Sequence, residues 1–273
     1  MRKLNRGLST WMTHAVRVLA MLAAFKTRRQ RLRLLVVWLA LEAKFWLDWW
    51  PGRSFKLTWR GPRGDVSARV GNISELWAIW QIFVREEYAC VAEVAPDVIL
   101  DLGANIGIAA LYFHAVCPQA RIVSVEALPE TYALLARNTA RLDGVRAVHA
   151  AVTDAVGTVT IYSGATTLAS SLTSAADLPH AHTVPATTLE RLAEEVGYGA
   201  ADFVKLDVEG AEAQVIRASA PSLAEARAIV FEFHHEQTRT SVWSLLEALP
   251  GFRVARISGD TAAQAVVELS RAR

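Results

Sequence analysis

Three apolar runs in this chain stop at an acid, and the residues around each suggest ligand binding. The first acid is Asp101, which closes Val98-Ile-Leu and opens the turn Gly103-Ala-Asn105-Ile-Gly107. An apolar strand that ends in an acid and a glycine turn is how an α/β sheet opens a nucleotide pocket. A dinucleotide fingerprint needs glycine at its third and sixth positions, where backbone meets pyrophosphate and helix packs on strand. Asn105 and Ile108 stand there instead. Room remains at Gly103 and Gly107, but the pyrophosphate geometry is lacking. The loop therefore fits an adenosyl ligand without a diphosphate, with S-adenosylmethionine the leading candidate. Asp101 would face the methionine ammonium, directly or through water, and Gly103, Asn105 and Gly107 would let backbone approach the ligand.

Glu126 closes the next apolar run, where two ribose hydroxyls would want a two-oxygen acceptor. Asp154, or backbone near Ala151, is placed to meet an adenine edge, although a turn role for Asp154 before Gly157 fits as well. Further on, Lys205, Asp207, Glu209 and Glu212 crowd the end of another apolar run. Alternation puts Lys205, Asp207 and Glu209 on one side while the chain stays extended. Charges packed this densely near a cleft are candidates for shifted proton affinities. An acceptor that loses a proton as it attacks a transferable methyl asks for a base, and Asp207 or Glu209 can serve, with Lys205 pairing an acid to hold the loop. Glu232 and His234, in Phe231-Glu-Phe-His-His-Glu236, share one face of a later strand and offer the same service. These acids could also hold a divalent cation. The His pair lacks zinc spacing, and no metal is assigned.

The elements that must position these groups alternate. Strands are expected at 98–101, 121–125, 145–152, 203–207, 228–233, 252–257 and 265–269. Helices are expected near 107–116, 130–142, 188–196, 211–219 and 240–249, with Pro129 as a helix start and Ser222-Leu-Ala-Glu225 as a capping box. Apolar strands alternating with helices imply a mostly parallel sheet covered on both faces. The short link at Ser258-Gly259-Asp260 closes it with an antiparallel hairpin. The fold class is therefore α/β: a Rossmann-like, seven-stranded sheet with helices on both faces and a helical appendage at the N-terminus. Residues 153–187 are the least regular part, with one short strand expected at 159–162. Specificity is expected there, in 55–96 and in the 234–240 loop.

The appendage carries its own signal. Arg2, Lys3, Arg6, Arg17, Lys26, Arg28, Arg29, Arg31 and Arg33 all precede the first acid, Glu42, in a chain of net charge +2. The rest is mildly acidic and shows no nucleic-acid footprint. Residues 8–25 and 34–50 read as helices ended by Pro51-Gly52. Charges interrupt both, so neither spans a bilayer. A basic amphipathic segment with tryptophans can lie on an anionic membrane surface, and such helices also cap a domain or pair with another subunit. A hairpin at 55–60 and 66–70 and a helix over 75–91 follow, with Trp77, Trp80 and Phe83 read as core. The organisation expected is 1–55 helical, 56–96 lead-in and 97–273 main domain. Cys90 and Cys117 have no redox or metal spacing and read as core residues. A reducing, cytoplasmic setting fits.

The chain resembles the FkbM-type methyltransferases. The matching pieces are Asp101-Leu-Gly-Ala-Asn-Ile-Gly107, Glu126-Ala-Leu-Pro129, Asn138, Thr188-Leu189 and Asp202-Phe-Val-Lys-Leu-Asp-Val-Glu-Gly-Ala-Glu212, then Glu232. Arg69 to Tyr88 also resembles the segment preceding that family's domain. The resemblance implies an S-adenosylmethionine-dependent enzyme and oxygen as the methylated atom, on a small-molecule or sugar-like hydroxyl acceptor. Two other readings are a nicotinamide-dependent oxidoreductase, which the missing glycines and the lack of a Tyr-x-x-x-Lys pair disfavour, and a non-catalytic membrane-associated module.

Overall fold

The computed structural model describes residues 2–47, 53–163, 170–171, 180–208, 210–234, 241–260 and 264–271, with backbone alone at 2–11, 45–47, 170–171, 234, 260 and 264. Its chain forms two compact units, Met1–Glu87 and Tyr88–Arg273.

The first unit opens with helices α1 (Arg2–Met21) and α2 (Arg28–Leu47). Helix α2 begins earlier than apolar periodicity alone suggests. Thr27 Oγ1 accepts from the Gln30 amide and Gln30 Oε1 from the Thr27 amide, both at 3.1 Å, a reciprocal cap of the Thr-x-x-Gln type. The end of the second expected helix, at Pro51-Gly52, lies outside the described residues. A hairpin of β1 (Phe55–Gly61) and β2 (Gly64–Val70) follows. Helix α3 (Ile73–Ile79) is capped by Asn72 and Glu75 and continues as a π-helical turn over Trp80–Val84. The expected single helix over 75–91 thus breaks, and Glu86 takes a positive φ of 52° just beyond the break. Met21, Phe25, Leu34, Leu41 and Trp59 fill the core. Trp77 packs inside, and the Arg17 guanidinium lies over the Trp77 and Trp80 rings at 5.5 and 5.2 Å. Glu42 is buried and accepts from Trp38 Nε1 at 2.9 Å, with His14 Nδ1 at 2.6 Å. Among the described residues no helix is long and apolar enough to cross a membrane.

The second unit starts with the short helix α4 (Val91–Val94) and is built on strands β3 (Val98–Leu102), β4 (Arg121–Glu126), β5 (Val145–His149), β10 (Phe203–Leu206), β11 (Ala228–His234), β12 (Phe252–Asp260) and β13 (Gln264–Arg271). Their spatial order is β12-β13-β11-β10-β3-β4-β5. The pairs from β11 to β5 are parallel, and β13 runs antiparallel to both its neighbours. Every residue of β3 and β10 is buried, as a parallel sheet covered on both faces demands. Helices α5 (Ile108–Val116), α6 (Pro129–Thr139), α7 (Leu189–Val196) and α8 (Glu212–Ala218) supply crossovers, with Pro129 at the first turn of α6 as expected. Helix α9 (Ala220–Leu223) corrects the expected Ser222 cap. Ser222 lies inside it, and its hydroxyl donates to Glu190 at 2.6 Å. Helix α10 (Val242–Leu246) is shorter than the 240–249 expected.

The 145–152 run is two strands. After β5 the chain leaves the large sheet, and β6 (Ala151–Val152) joins a second sheet with β7 (Gly157–Ser163), β8 (Ser170–Ser171) and β9 (His180–Thr187) in the order β6-β9-β7-β8. Strand β7 contains the expected 159–162 strand, whereas β9 was not foreseen.

Candidate active site

Parallel pairing places Ser124, Asp101 and Lys205 side by side on adjacent strands, because Asp101 is in register with both. Register partners project to the same face, so three polar side chains meet inside an otherwise apolar sheet. Ser124 Oγ donates to Asp101 Oδ2 at 3.2 Å, and Lys205 Nζ stands 3.3 Å from Asp101 Oδ1. The same ammonium donates to the Gly103 carbonyl at 2.6 Å and lies 3.6 Å from Asp207 Oδ2. Asp101 is fully buried and Lys205 nearly so. Burying either charge alone would cost several kcal/mol, so each requires the other. Burial opposes the charge on Lys205, but Asp101, Asp207 and Glu232 together hold its pKa above the ordinary lysine value. The Asp101 carboxyl is pushed up by burial against the pull of Lys205.

Gly103 adopts φ +73°, and a Cβ there would stand 1.7 Å from the Asp207 carbonyl oxygen. Asp207 N in turn donates to Leu102 O at 3.0 Å. The glycine turn and the end of β10 are therefore in backbone contact at the carboxyl edge of the sheet. Asn105 takes a positive φ of 50°, and Gly107, at +88°, begins α5 where a Cβ would press on Leu135 and Thr139 of α6. Asn138, on α6, steadies the turn by donating to Ile106 O at 2.8 Å.

Each amide of the turn already has an acceptor. Gly103 and Ala104 donate to Val125 O, Asn105 to Glu126 Oε2, Ile106 to Asn105 Oδ1 and Gly107 to Ala104 O. A pyrophosphate cradle requires such amides to be free. This turn therefore offers shape and carboxylates in place of anion donors, which physically disfavours the dinucleotide reading. Glu126 accepts one amide on each oxygen, from Asn105 and from Leu128, both at 2.9 Å. A carboxylate has about four lone-pair sites, so acceptor capacity for hydroxyls remains. Burial pushes its pKa up, against the pull of those two amides.

The remaining expected residues fall as follows. Asp207 is partly exposed, and its Oδ1 is buried without a hydrogen-bond partner among the described residues. Glu232 ends up one residue beyond the Leu206–Phe231 register pair, close enough to add to the field at Lys205. Glu209 and the His234 side chain lie outside the described residues, as does the 235–240 loop. Asp154 is exposed in the bend after β6. Among the described residues no group of three or more His, Cys, Asp or Glu is placed to hold a metal ion. Two acids of the Asp202–Glu212 block serve the scaffold. Asp202, at the opposite edge of the sheet, accepts from the Asp97 and Val98 amides, and Glu212 accepts from those of Val208 and Gly210. Cys117 is buried, and burial pushes the half-buried Cys90 thiol up to about 12, away from thiolate chemistry.

Sequence reasoning missed Ser124 and His149. A lone serine within Ile-Val-Ser-Val, one strand from Asp101, was the available signal for the first. His149 is in register with Glu126, its Nε2 lies 3.0 Å from Ala127 O, and its ring stacks on Tyr132 with centroids 4.8 Å apart. It fixes the backbone just past Glu126.

The sequence profile of the methyltransferase FkbM domain matches residues 101–254. Methyltransferase sdnD of Sordaria araneosa is 35% identical over 82 residues, covering 29% of this chain and 32% of that protein. The 2-O-methyltransferase NoeI of Sinorhizobium fredii is 24% identical over 190 residues, covering 63% of this chain and 78% of that protein. The chain thus spans about a third of the first relative's length. Among solved structures, methyltransferase FkbM from Methylobacillus flagellatus superposes with a TM-score of 0.46 at 13% identity, over 72% of this chain and 54% of that one.

Proposed function

The chain belongs to the FkbM methyltransferase family, and we propose that it methylates a hydroxyl of a small-molecule or sugar-like acceptor with Asp207 as the base. The methyl donor is S-adenosylmethionine, whose bound sulfonium supplies an electrophilic methyl group. The residues present fit such a donor. Glu126 keeps acceptor capacity for ribose hydroxyls, and an orphaned carboxylate oxygen lies at Asp207. Asp101, fully buried, serves by anchoring Lys205.

The observation that carries the reading is the asymmetric environment of Asp207. Lys205 faces Oδ2, while Oδ1 has no partner among the described residues. Lys205 orients the carboxylate, and the partly exposed Asp207 side chain accepts the acceptor's proton as the acceptor oxygen attacks. General-base help of this kind contributes about 10²–10⁴-fold, and alignment of the reactants contributes the larger remainder. Oxygen as the methylated atom is supported by the similarity to NoeI, a 2-O-methyltransferase that aligns with 63% of this chain. Incubation of the protein with methyl-labelled donor and a panel of alcohols, amines and thiols tests the reading. Label on oxygen, lost in Asp207→Asn, supports it. Label confined to nitrogen or sulfur, or full turnover by Asp207→Asn, refutes it.

A further inference from the structure

We propose that the first unit docks on an anionic lipid surface through the outer faces of α1 and α2. Each helix has two apolar sides. On α1, Val18 and Met21 point into the unit, while Met12, Val16 and Leu19 are 57–66% exposed on the opposite side. On α2, Leu34, Val37 and Leu41 are buried, while Leu32, Val36 and Leu39 are 56–62% exposed. The exposed residues recur at spacings of four and three, one continuous stripe per helix. A helix that meets only water on its outer face does not keep such stripes without reason, because large exposed apolar patches mark interaction sites.

Charge identifies the occupant. Lys26, Arg28 and Arg29, at the turn joining the helices, are exposed and make no ion pair among the described residues. Arg28 lies on the same stripe as Leu32, Val36 and Leu39, with spacings of four, four and three. The one carboxylate among the described side chains of these helices, Glu42, is buried against His14 and Trp38. The outer faces of the two helices are therefore apolar with cations at the joining turn, and the exposed acid near that turn, Asp65 of the hairpin, pairs with Gln30 rather than with these cations. An interfacial helix pairs apolar side chains at the acyl boundary with basic groups at the headgroups. A second copy of the chain would bring the same cations to the same turn, whereas anionic lipid brings the opposite charge. Since neither helix is long and apolar enough to span, the contact lies in the plane of the surface. It would deliver the enzyme to acceptors at a membrane.

Co-sedimentation of the full chain with vesicles of phosphatidylglycerol mixed with phosphatidylcholine, against phosphatidylcholine alone, tests the proposal. The chain should pellet with the anionic vesicles and be released by salt. A triple Lys26→Gln, Arg28→Gln, Arg29→Gln variant should partition on the order of a hundredfold less, since each basic residue near an anionic surface contributes about fivefold. A Leu32→Ser, Val36→Ser, Leu39→Ser variant should also lose binding, and its exposed positions leave the fold intact by circular dichroism. Methyl transfer to a soluble acceptor should be unchanged in both variants, which separates this proposal from the enzymatic one. Equal binding to neutral vesicles overturns the proposal. So does failure to pellet, whether the chain then runs as a dimer, with a second copy covering the stripe, or as a monomer.

Discussion

The ammonium of Lys205 donates to the carbonyl oxygen of Gly103 across 2.6 Å, which ties the fourth parallel strand of the sheet to the turn after the first. That bond, with the Asp101 and Asp207 pairs, makes Lys205 the centre of the site. Lys205→Met would leave Asp101 buried without its cation. Removing one partner of such a pair costs about 3–5 kcal/mol. Urea unfolding should show this loss, and the double variant Asp101→Asn, Lys205→Met should recover part of it. Equal stability of Lys205→Met and wild type would show that the cluster is not coupled.

Gly103→Ala should be worse than any loop substitution nearby. Its Cβ would meet the Asp207 carbonyl oxygen at 1.7 Å, and alanine also resists φ +73°. The backbone must move, so methyl transfer should fall at least tenfold along with stability. Gly199→Ala, where nothing lies within 4 Å, should leave both unchanged.

Much of this was legible beforehand. The order of apolar runs, the acids that end them and the terminal hairpin follow from periodicity and reappear in the large sheet, except that Ala151–Val152 leaves it and Ser258-Gly259-Asp260, expected as the hairpin link, extends β12 and pairs with β13. What escaped depends on partners distant in sequence. Strand β9 contains Pro185, which cannot donate to a ladder. It is tolerated because β6 pairs only with Ala186 and Thr187, so among the described residues one side of the strand at Pro185 faces no neighbour strand. Alternation grouped Lys205 with Asp207, but only the register of β3 against β10 reveals that Lys205 faces Asp101. Glu212 looked like one more acid of the cluster, yet its position at the start of α8 turns it onto the Val208 and Gly210 amides.

Glu75 sets a pH dependence in the first unit. Burial raises its pKa from 4.5 to about 7, against the pull of the Gly71 and Asn72 amides. The folded form therefore holds a proton that the unfolded chain releases above 4.5. Stability should be greatest below that value and fall by up to about 3 kcal/mol as pH rises to about 7. Eight of the nine tryptophans belong to this unit, so their fluorescence reports its unfolding. Glu75→Gln should flatten the profile. A profile that rises over the same window would contradict the assignment.

Calorimetric titration with S-adenosylhomocysteine addresses the donor pocket itself. The folded wild-type protein should bind it, Asp207→Asn should bind it comparably, and Glu126→Gln should bind it about tenfold or more weakly, through lost charge-assisted hydrogen bonds to the ribose. No heat of binding from folded wild-type protein, or an undiminished affinity in Glu126→Gln, would contradict the pocket described here.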